Sequence, residues 1–411
     1  MNSMLVWLGK FKQKNAVELI KLFLFFFVIF TCSINLFYKI SLEGAYVRGL
    51  LVDYLIPKIY LVELFLIPFL VMELKQLQKI KVNIYLCFLV LVLLGRQLLS
   101  QSPLAAFVHL VHVTELVLFF SVVRLDPLFK DKIAEKFGVG AMLSAIIFQS
   151  LLAIYQFIFQ KSLLAYKFLG ETNLMDLTNI SKAQFFFSER ILPYGATPHP
   201  NILAGVVVIL SMLVINKIKN FKLIQLLLIG NALLIIFLTQ SISALLTLGL
   251  FLFYQILNKF NKKIKIKKLL IVLLFYLFLI LLPYLLGRFA TISTRQNSVD
   301  RRVILNQASL EMFKHQMLFG VGINNFTLNL ETYSTNQETV RFIQPVHHLL
   351  FLTLSEGGLL LLIIFFLLIK QSNIKNFYTK SIILLALAGL DHYLFTQFSG
   401  MSLLVLFYLF L

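Results

Sequence analysis

Cysteine is almost missing from this sequence: Cys32 and Cys87 are the only two among 411 residues, and both sit inside apolar stretches. A disulfide framework would serve nothing there, and the two thiols say nothing about redox compartment. No small-residue cleavage site follows the first apolar run, so Leu22 to Phe37 is expected to stay as a helix and not be removed as a signal segment. No internal repeat is evident, which removes one support for a transporter built from inverted repeats. Acidic residues are few, 18 against 37 basic ones, and charged residues of both signs make up only 13% of the chain. Apolar residues take their place at 59%, more than one soluble core of ordinary composition could hide. Runs such as Leu223 to Leu238, Leu269 to Leu286 and Leu349 to Ile369 approach or reach the ~20 residues that cross a ~30 Å hydrocarbon layer as helix.

The net charge of +19 would point a soluble protein toward nucleic acid or an acidic surface, but here the charges are sorted by position. Lys10, Lys12 and Lys14 precede the first run, and basic clusters follow at Lys75 to Lys81, Arg124 to Lys136, Lys217 to Lys222, Lys259 to Lys268 and Lys370 to Lys380. They fall in every second loop, which the positive-inside rule makes cytoplasmic, with both termini inside, lipids as the surroundings and no nucleic-acid partner. The expected fold is an all-α polytopic membrane helix bundle of about twelve spans. These cover 17–38, 51–73, 83–100, 103–123, 138–159, 199–216, 221–239, 241–257, 269–287, 346–369, 379–394 and 397–411. Asp53, Lys58 and Glu63 interrupt the second span and Arg96 shortens the third, so a re-entrant segment is the alternative at either.

Most connections are short, but two on the external side are long, Gln160 to Pro198 and Arg288 to Val346, and long loops in a compact bundle usually carry function. The chain thus divides into N-terminal helices over 1–160, an external loop over 161–198, and a region over 199–411 that contains the loop 288–346. Within that loop Leu305, Ala308 and Met312 recur at helical spacing, which predicts an amphipathic helix over 303–313. It stops before Gly320-Val321-Gly322, where glycine permits a tight reversal or close backbone approach, and Pro345 breaks any helix before the next span.

Arg301-Arg302 and His347-His348 bracket this loop and set fixed positive charge beside a titratable base. Guanidinium offers a planar fork of donors suited to phosphate or pyrophosphate, and imidazole accepts a proton from a hydroxyl near neutral pH. On residue type alone, lipid-headgroup contact for the arginines and solvation or helix capping for the histidines remain open.

The strings themselves say more. Arg302 with Asn306 four residues on, then Gly320-Val321-Gly322-Ile323-Asn324-Asn325-Phe326, resembles the loop motif of the O-antigen ligase and polymerase family. His347-His348-Leu349-Leu350-Phe351, with Glu356 and Gly358, resembles that family's H-N-x-x-L and E-x-G segments. Gly195-Ala196-Thr197-Pro198-His199-Pro200-Asn201, with Ala204-Gly205, resembles its G-T-x-x-H-P-N-x-x-A-G segment. The resemblance covers roughly residues 190 to 400. Three positions depart from it. Asn306 replaces a tryptophan and His348 an asparagine. In Thr239-Gln240-Ser241-Ile242-Ser243-Ala244, Ile242 stands where many members carry an arginine implicated in holding the donor pyrophosphate.

The resemblance implies a GT-C-like membrane glycosyltransferase of the bacterial cytoplasmic membrane, working on its external face. Such enzymes move a glycan from undecaprenyl diphosphate to a hydroxyl on a lipid-linked or protein-linked acceptor, without a metal or other cofactor. It implies His347 as general base and Arg302 as the diphosphate ligand, with Arg301, Arg190, His348 and Glu356 as further substrate-binding groups. Other polar residues keep more than one reading. His109, His112 and Glu115 form one helix face that serves internal hydrogen bonding, a lipid-diphosphate contact or, with poor geometry, a metal. Asp391-His392 reads as a structural pair before a catalytic one, His199 as part of its turn, and Glu356 as paired with a cation or set near the cavity. The competing function is a transporter or flippase of lipid-linked glycan or a small anion, which would place its charge at the membrane midplane.

Overall fold

The computed structural model describes residues 14–81, 83–163, 171–175, 180–185, 188–218, 220–260, 274, 293–334, 343–372, 374 and 377–411. Apart from position 274, the ninth expected span, 269–287, lies outside the described residues.

The chain is predominantly helical. Among the described residues the helices of eight or more residues are α1 (Ala16–Thr31), α2 (Glu63–Met72), α3 (Ile84–Leu98), α4 (Pro103–Leu125), α5 (Lys132–Phe159), α6 (Pro200–Lys217), α7 (Lys222–Thr239), α8 (Ile242–Phe260), α9 (Ser293–His315), α10 (Phe326–Tyr333), α11 (Leu349–Ser372), α12 (Phe377–Leu390) and α13 (Phe398–Phe410). Five of them, α4, α5, α6, α7 and α11, are long and apolar enough to cross a membrane, and five shorter apolar helices accompany them. The centre of the bundle is α6. Every residue from Ile202 to Ile215 is buried, because the stretch is apolar or small on all sides and has no face to give to solvent. Around it pack α5, α7, α8 and α13, while α1 lies on α5 and α2.

The second expected span is corrected: of 51–73 only Glu63–Met72 is α-helical, with a single 3-10 turn at Asp53–Leu55. Residues before it fold as antiparallel ribbons, with β1 (Phe37–Lys39) on β4 (Lys58–Tyr60) and β2 (Tyr46–Val47) on β3 (Leu50–Leu51). The inner ribbon turns at Arg48 and Gly49, both at positive φ. Asp53 and Lys58 pair at 2.7 Å in this layer, so neither charge has to enter a bilayer. A third ribbon, β5 (Lys182–Phe185) with β6 (Ser188–Ile191), lies in the expected loop 161–198. The all-α expectation is amended accordingly. The loop helix is also longer than expected: α9 begins at Ser293, and it buries Leu305, Ala308 and Met312 against α11.

Helix α11 is broken at Gly358, whose φ of 59° and ψ of −158° belong to a region open to glycine alone. The break frees the backbone groups that a continuous helix would pair with each other. The carbonyls of Ser355 and Glu356 accept from the N–H groups of Val321 (2.8 Å) and Gly322 (3.0 Å), and the N–H groups of Leu359 and Leu360 donate to Met317 and Leu318 at 3.0 Å each. The segment 317–322 is therefore clipped into α11. Glu356, fully buried, closes the clip: Oε1 accepts from the Tyr54 hydroxyl (2.8 Å) and the Phe326 N–H (2.9 Å), and Oε2 accepts from the Asn324 N–H (3.0 Å). From the other side Arg96 donates to the Gly320 carbonyl at 3.2 Å, Gln97 accepts from the Ile323 N–H at 2.7 Å, and Asn325 accepts from the Ser102 N–H at 2.7 Å.

Gly358→Ala tests the clip. A Cβ there would stand 2.6 Å from the Leu318 carbonyl carbon, and the backbone conformation alone costs a non-glycine residue about 1–3 kcal/mol. A melting temperature in detergent several degrees below the parent's is expected. Gly230→Ala, in α7 with open space around it, serves as the control and should melt at or above the parent's temperature.

Candidate functional site

At the end of the bundle that carries the clip, four separate segments bring polar groups together. The first is the turn before α6. Two buried glutamines of α5 hold it: Gln156 Oε1 accepts from the Tyr194 and Gly195 N–H groups at 2.9 and 2.8 Å, and Gln149 Oε1 accepts from the Ala196 N–H at 2.9 Å. The turn delivers His199 as the N-cap of α6, where Nδ1 accepts from the Asn201 N–H at 3.2 Å. The neutral ring therefore carries its hydrogen on Nε2, which faces the Ser181 hydroxyl at 3.5 Å. His199 keeps an accessible ring although protein crowds it.

The second segment follows α12. Asp391 accepts from the Ser243 hydroxyl at 2.6 Å and from the Asn201 side-chain amide at 3.4 Å, which joins α6, α8 and the end of α12. Next to it, His392 Nδ1 lies 2.7 Å from the Thr396 hydroxyl. The third segment is the start of α11, where the His347 ring stands edge to face with His392, centroids 5.3 Å apart. His347 Nδ1 is buried without a hydrogen-bond partner.

The fourth is α9. Arg302 lies seven residues before Ser309, on the same helix face, and Ser309 donates to the Phe351 carbonyl of α11 at 2.7 Å. This turns Arg302 toward the histidines, and its charge reaches all three. Burial, then His392, Arg302 and His199, hold the His347 imidazolium well below the usual range. Burial, His199 and Arg302 bring His392 down to about 4, and burial with Arg302 brings His199 to about 4. Asp391 moves the other way, up to about 6, because burial outweighs the help of Ser243, Arg302 and Asn201. At neutral pH the cluster is three neutral imidazoles beside one guanidinium and the Asp391 carboxylate.

The remaining sequence-derived residues are distributed unevenly. His348 is half-buried beside Phe351 (4.6 Å), with Nδ1 lacking a hydrogen-bond partner, and burial lowers its pKa. Arg301 neighbours Arg302, but successive helical residues point ~100° apart, so the two leave α9 in different directions. Arg190, in β6, donates to the Phe157 carbonyl at 3.3 Å and lies over the Phe157 ring, at the end of α5. Glu356 has a hydroxyl and backbone N–H groups as partners in place of a cation. Ile242, at the arginine position of the resemblance, is exposed just after Gln240, whose φ of 53° turns the chain from α7 into α8. Sequence reasoning read His199, His392 and Asp391 as structural. Their signal was present in the His-Pro-Asn segment and the Asp-His pair, but only the fold shows that His199 and His392 converge on His347.

The polar face of α4 pairs inward. His112 Nε2 lies 3.5 Å from Glu63, which also accepts from the Tyr60 N–H. Among the described residues no group of three or more His, Cys, Asp and Glu side chains is placed to hold a metal.

Residues 224–366 match the family described as O-antigen ligase, a segment of roughly a third of the chain that holds Arg302, His347 and both halves of the clip. No curated protein matches the chain.

The electrostatics predict how the histidines titrate. Carbethoxylation requires neutral imidazole, so His199 should react at pH 5.5 as fast as at pH 7.5, whereas a ring of ordinary pKa, ~6.5, would be mostly protonated and slow at the lower value. Arg302→Gln removes a charge that lowers His199, His347 and His392, and should shift the loss of reactivity to higher pH. Mass-spectrometric mapping across pH measures both, and an unshifted His199 in the variant would separate Arg302 from the cluster.

Proposed function

We propose that this membrane protein, which carries an O-antigen ligase domain, transfers a glycan from an undecaprenyl diphosphate carrier to an acceptor hydroxyl. The observation that carries the reading is His347: neutral, with a buried and unpartnered ring nitrogen, inside that domain and within the field of Arg302.

In this reading His347 is the general base. Its neutral ring accepts the proton of the acceptor hydroxyl as that oxygen bonds to the anomeric carbon, and the anomeric carbon–oxygen bond to the diphosphate breaks. The electron pair leaves with the diphosphate. Arg302 takes up the developing charge, which a metal ion would otherwise have to balance, and its planar fork matches the geometry of phosphate oxygens. Arg302 also supplies the cation that Ile242 does not, while the N-terminus of α6, capped by His199, adds favourable potential for an anion. Asp391, fixed by Ser243 and Asn201, orients the end of α12 that presents His392. We assign Glu356 and Arg190 to scaffolding, since their contacts lie in the clip and at the end of α5. The proposed orientation puts the cluster on the external face of a bacterial cytoplasmic membrane, with both termini inside. This architecture is of GT-C type.

The transporter alternative would draw on the charges within the bundle. Glu63 there faces His112 at 3.5 Å and accepts from the Tyr60 N–H, an internal pairing and not the lining of a path.

Reconstituted vesicles loaded with a defined undecaprenyl diphosphate glycan and candidate acceptors test the proposal. His347→Ala should slow coupled release of carrier diphosphate by about 100 to 10,000-fold without loss of folding. Arg302→Lys, which keeps charge but loses the fork, should recover little of the activity lost in Arg302→Ala. Donor that stays intact with every acceptor, while labelled lipid crosses the bilayer, would establish transport instead.

A further inference from the structure

The base in this site has a second neighbour that the transfer itself does not use. His392 faces His347 from the end of α12, and it is surrounded by His199 of the α6 cap, Arg302 of α9 and its own chain neighbour Asp391. Its Nδ1 is committed to the Thr396 hydroxyl at 2.7 Å. Thr396 in turn lines a separate cavity of about 30 Å³ between the ribbon layer and α4, with Asp53, Lys58, His109, His112 and Asn324 among its walls. That volume holds about two waters, and the lining gives them partners. His109 Nε2 is buried there without a protein partner, as expected of a group that bonds to water. Asp53, mostly exposed, marks the side where the cavity meets solvent.

We propose that His392 and Thr396 relay the proton taken up by His347 away from the transfer site and into this hydrated cavity. The inference rests on the glycan-transfer reading. With a lipid-linked donor and an acceptor both seated, the half-buried His347 is cut off from bulk water on the substrate side. The proton from the acceptor hydroxyl then passes from the His347 imidazolium to His392, through the Thr396 hydroxyl, to cavity water beside Asp53 and Lys58. His347 returns to its neutral form. The products are the glycosylated acceptor, the carrier diphosphate and one proton delivered to solvent. His392 and Thr396 act through His347 and touch neither substrate.

Steady-state transfer in the same vesicles separates this relay from a packing role, with the full chain and its His392→Phe, Thr396→Val and Thr396→Ser variants. Thr396→Val and His392→Phe should lower kcat by about ten-fold or more, with the donor KM within about two-fold of the parent's. The lost rate should return as pH or imidazole concentration rises, because an external base takes the proton from His347 once a product has left and the substrate side is open. Thr396→Ser keeps the hydroxyl and should match the parent. A kcat unchanged in both Thr396→Val and His392→Phe overturns the relay, as does a loss that neither pH nor imidazole restores. A parent that transfers no glycan with any acceptor overturns the function itself, so the two failures are distinguishable.

Discussion

Two backbone hydrogen bonds that α11 does not make govern the rest of this molecule. In a continuous helix Leu359 and Leu360 would donate to Ser355 and Glu356; here all four groups turn outward and pair with residues 317–322. In the apolar interior of a membrane bundle an unpaired backbone group costs several kcal/mol, so the break is tolerable only because the loop completes it. The loop in turn has its ends fixed, by Arg96 and Gln97 of α3 and by the carboxylate of Glu356. A segment that would otherwise be a long connection becomes part of the helix packing.

The site inherits its geometry from that arrangement. The clip holds α9 along α11, the Ser309 hydroxyl fixes the register between them, and Arg302 is thereby presented to His347 two residues before α11 begins. His199 and His392 are carried by the buried α6 and by the end of α12. Because the four groups belong to separate elements, none is positioned by its local sequence alone. The protein packed around them, with one permanent cation among them, keeps the imidazoles neutral. Neutral rings beside a guanidinium suit a reaction in which a hydroxyl loses a proton while a diphosphate gains negative charge.

Much of this was legible in the sequence. The apolar runs gave the membrane class, and the spacing of Leu305, Ala308 and Met312 marked the buried face of α9. The Arg302 and His347 strings pointed to one loop. Residues 51–62 misled because Leu50, Leu51, Ile56 and Ile59 continue the apolar character of α2, while the ribbon pairing of β1 with β4 depends on contacts some twenty residues apart that periodicity does not register. The role of Glu356 was hidden for a related reason. A carboxylate in a span suggests a cation partner, yet its partners here are backbone N–H groups freed by glycines and a positive-φ Asn324, which carry no charge signature. His199 looked structural because it sits in the turn that opens α6, and His392 because it adjoins Asp391; their approach to His347 is a property of helix packing.

The claim that the site hangs on the clipped loop is tested most directly by hydrogen–deuterium exchange in a bilayer, read at the Val321 and Gly322 amides. Both belong to a connection between helices, and both donate into the break in α11. Exchange as slow as that of Leu352, inside the first turns of α11, is the predicted result. Exchange at the rate of an open loop, with the α11 amides still protected, would contradict the account.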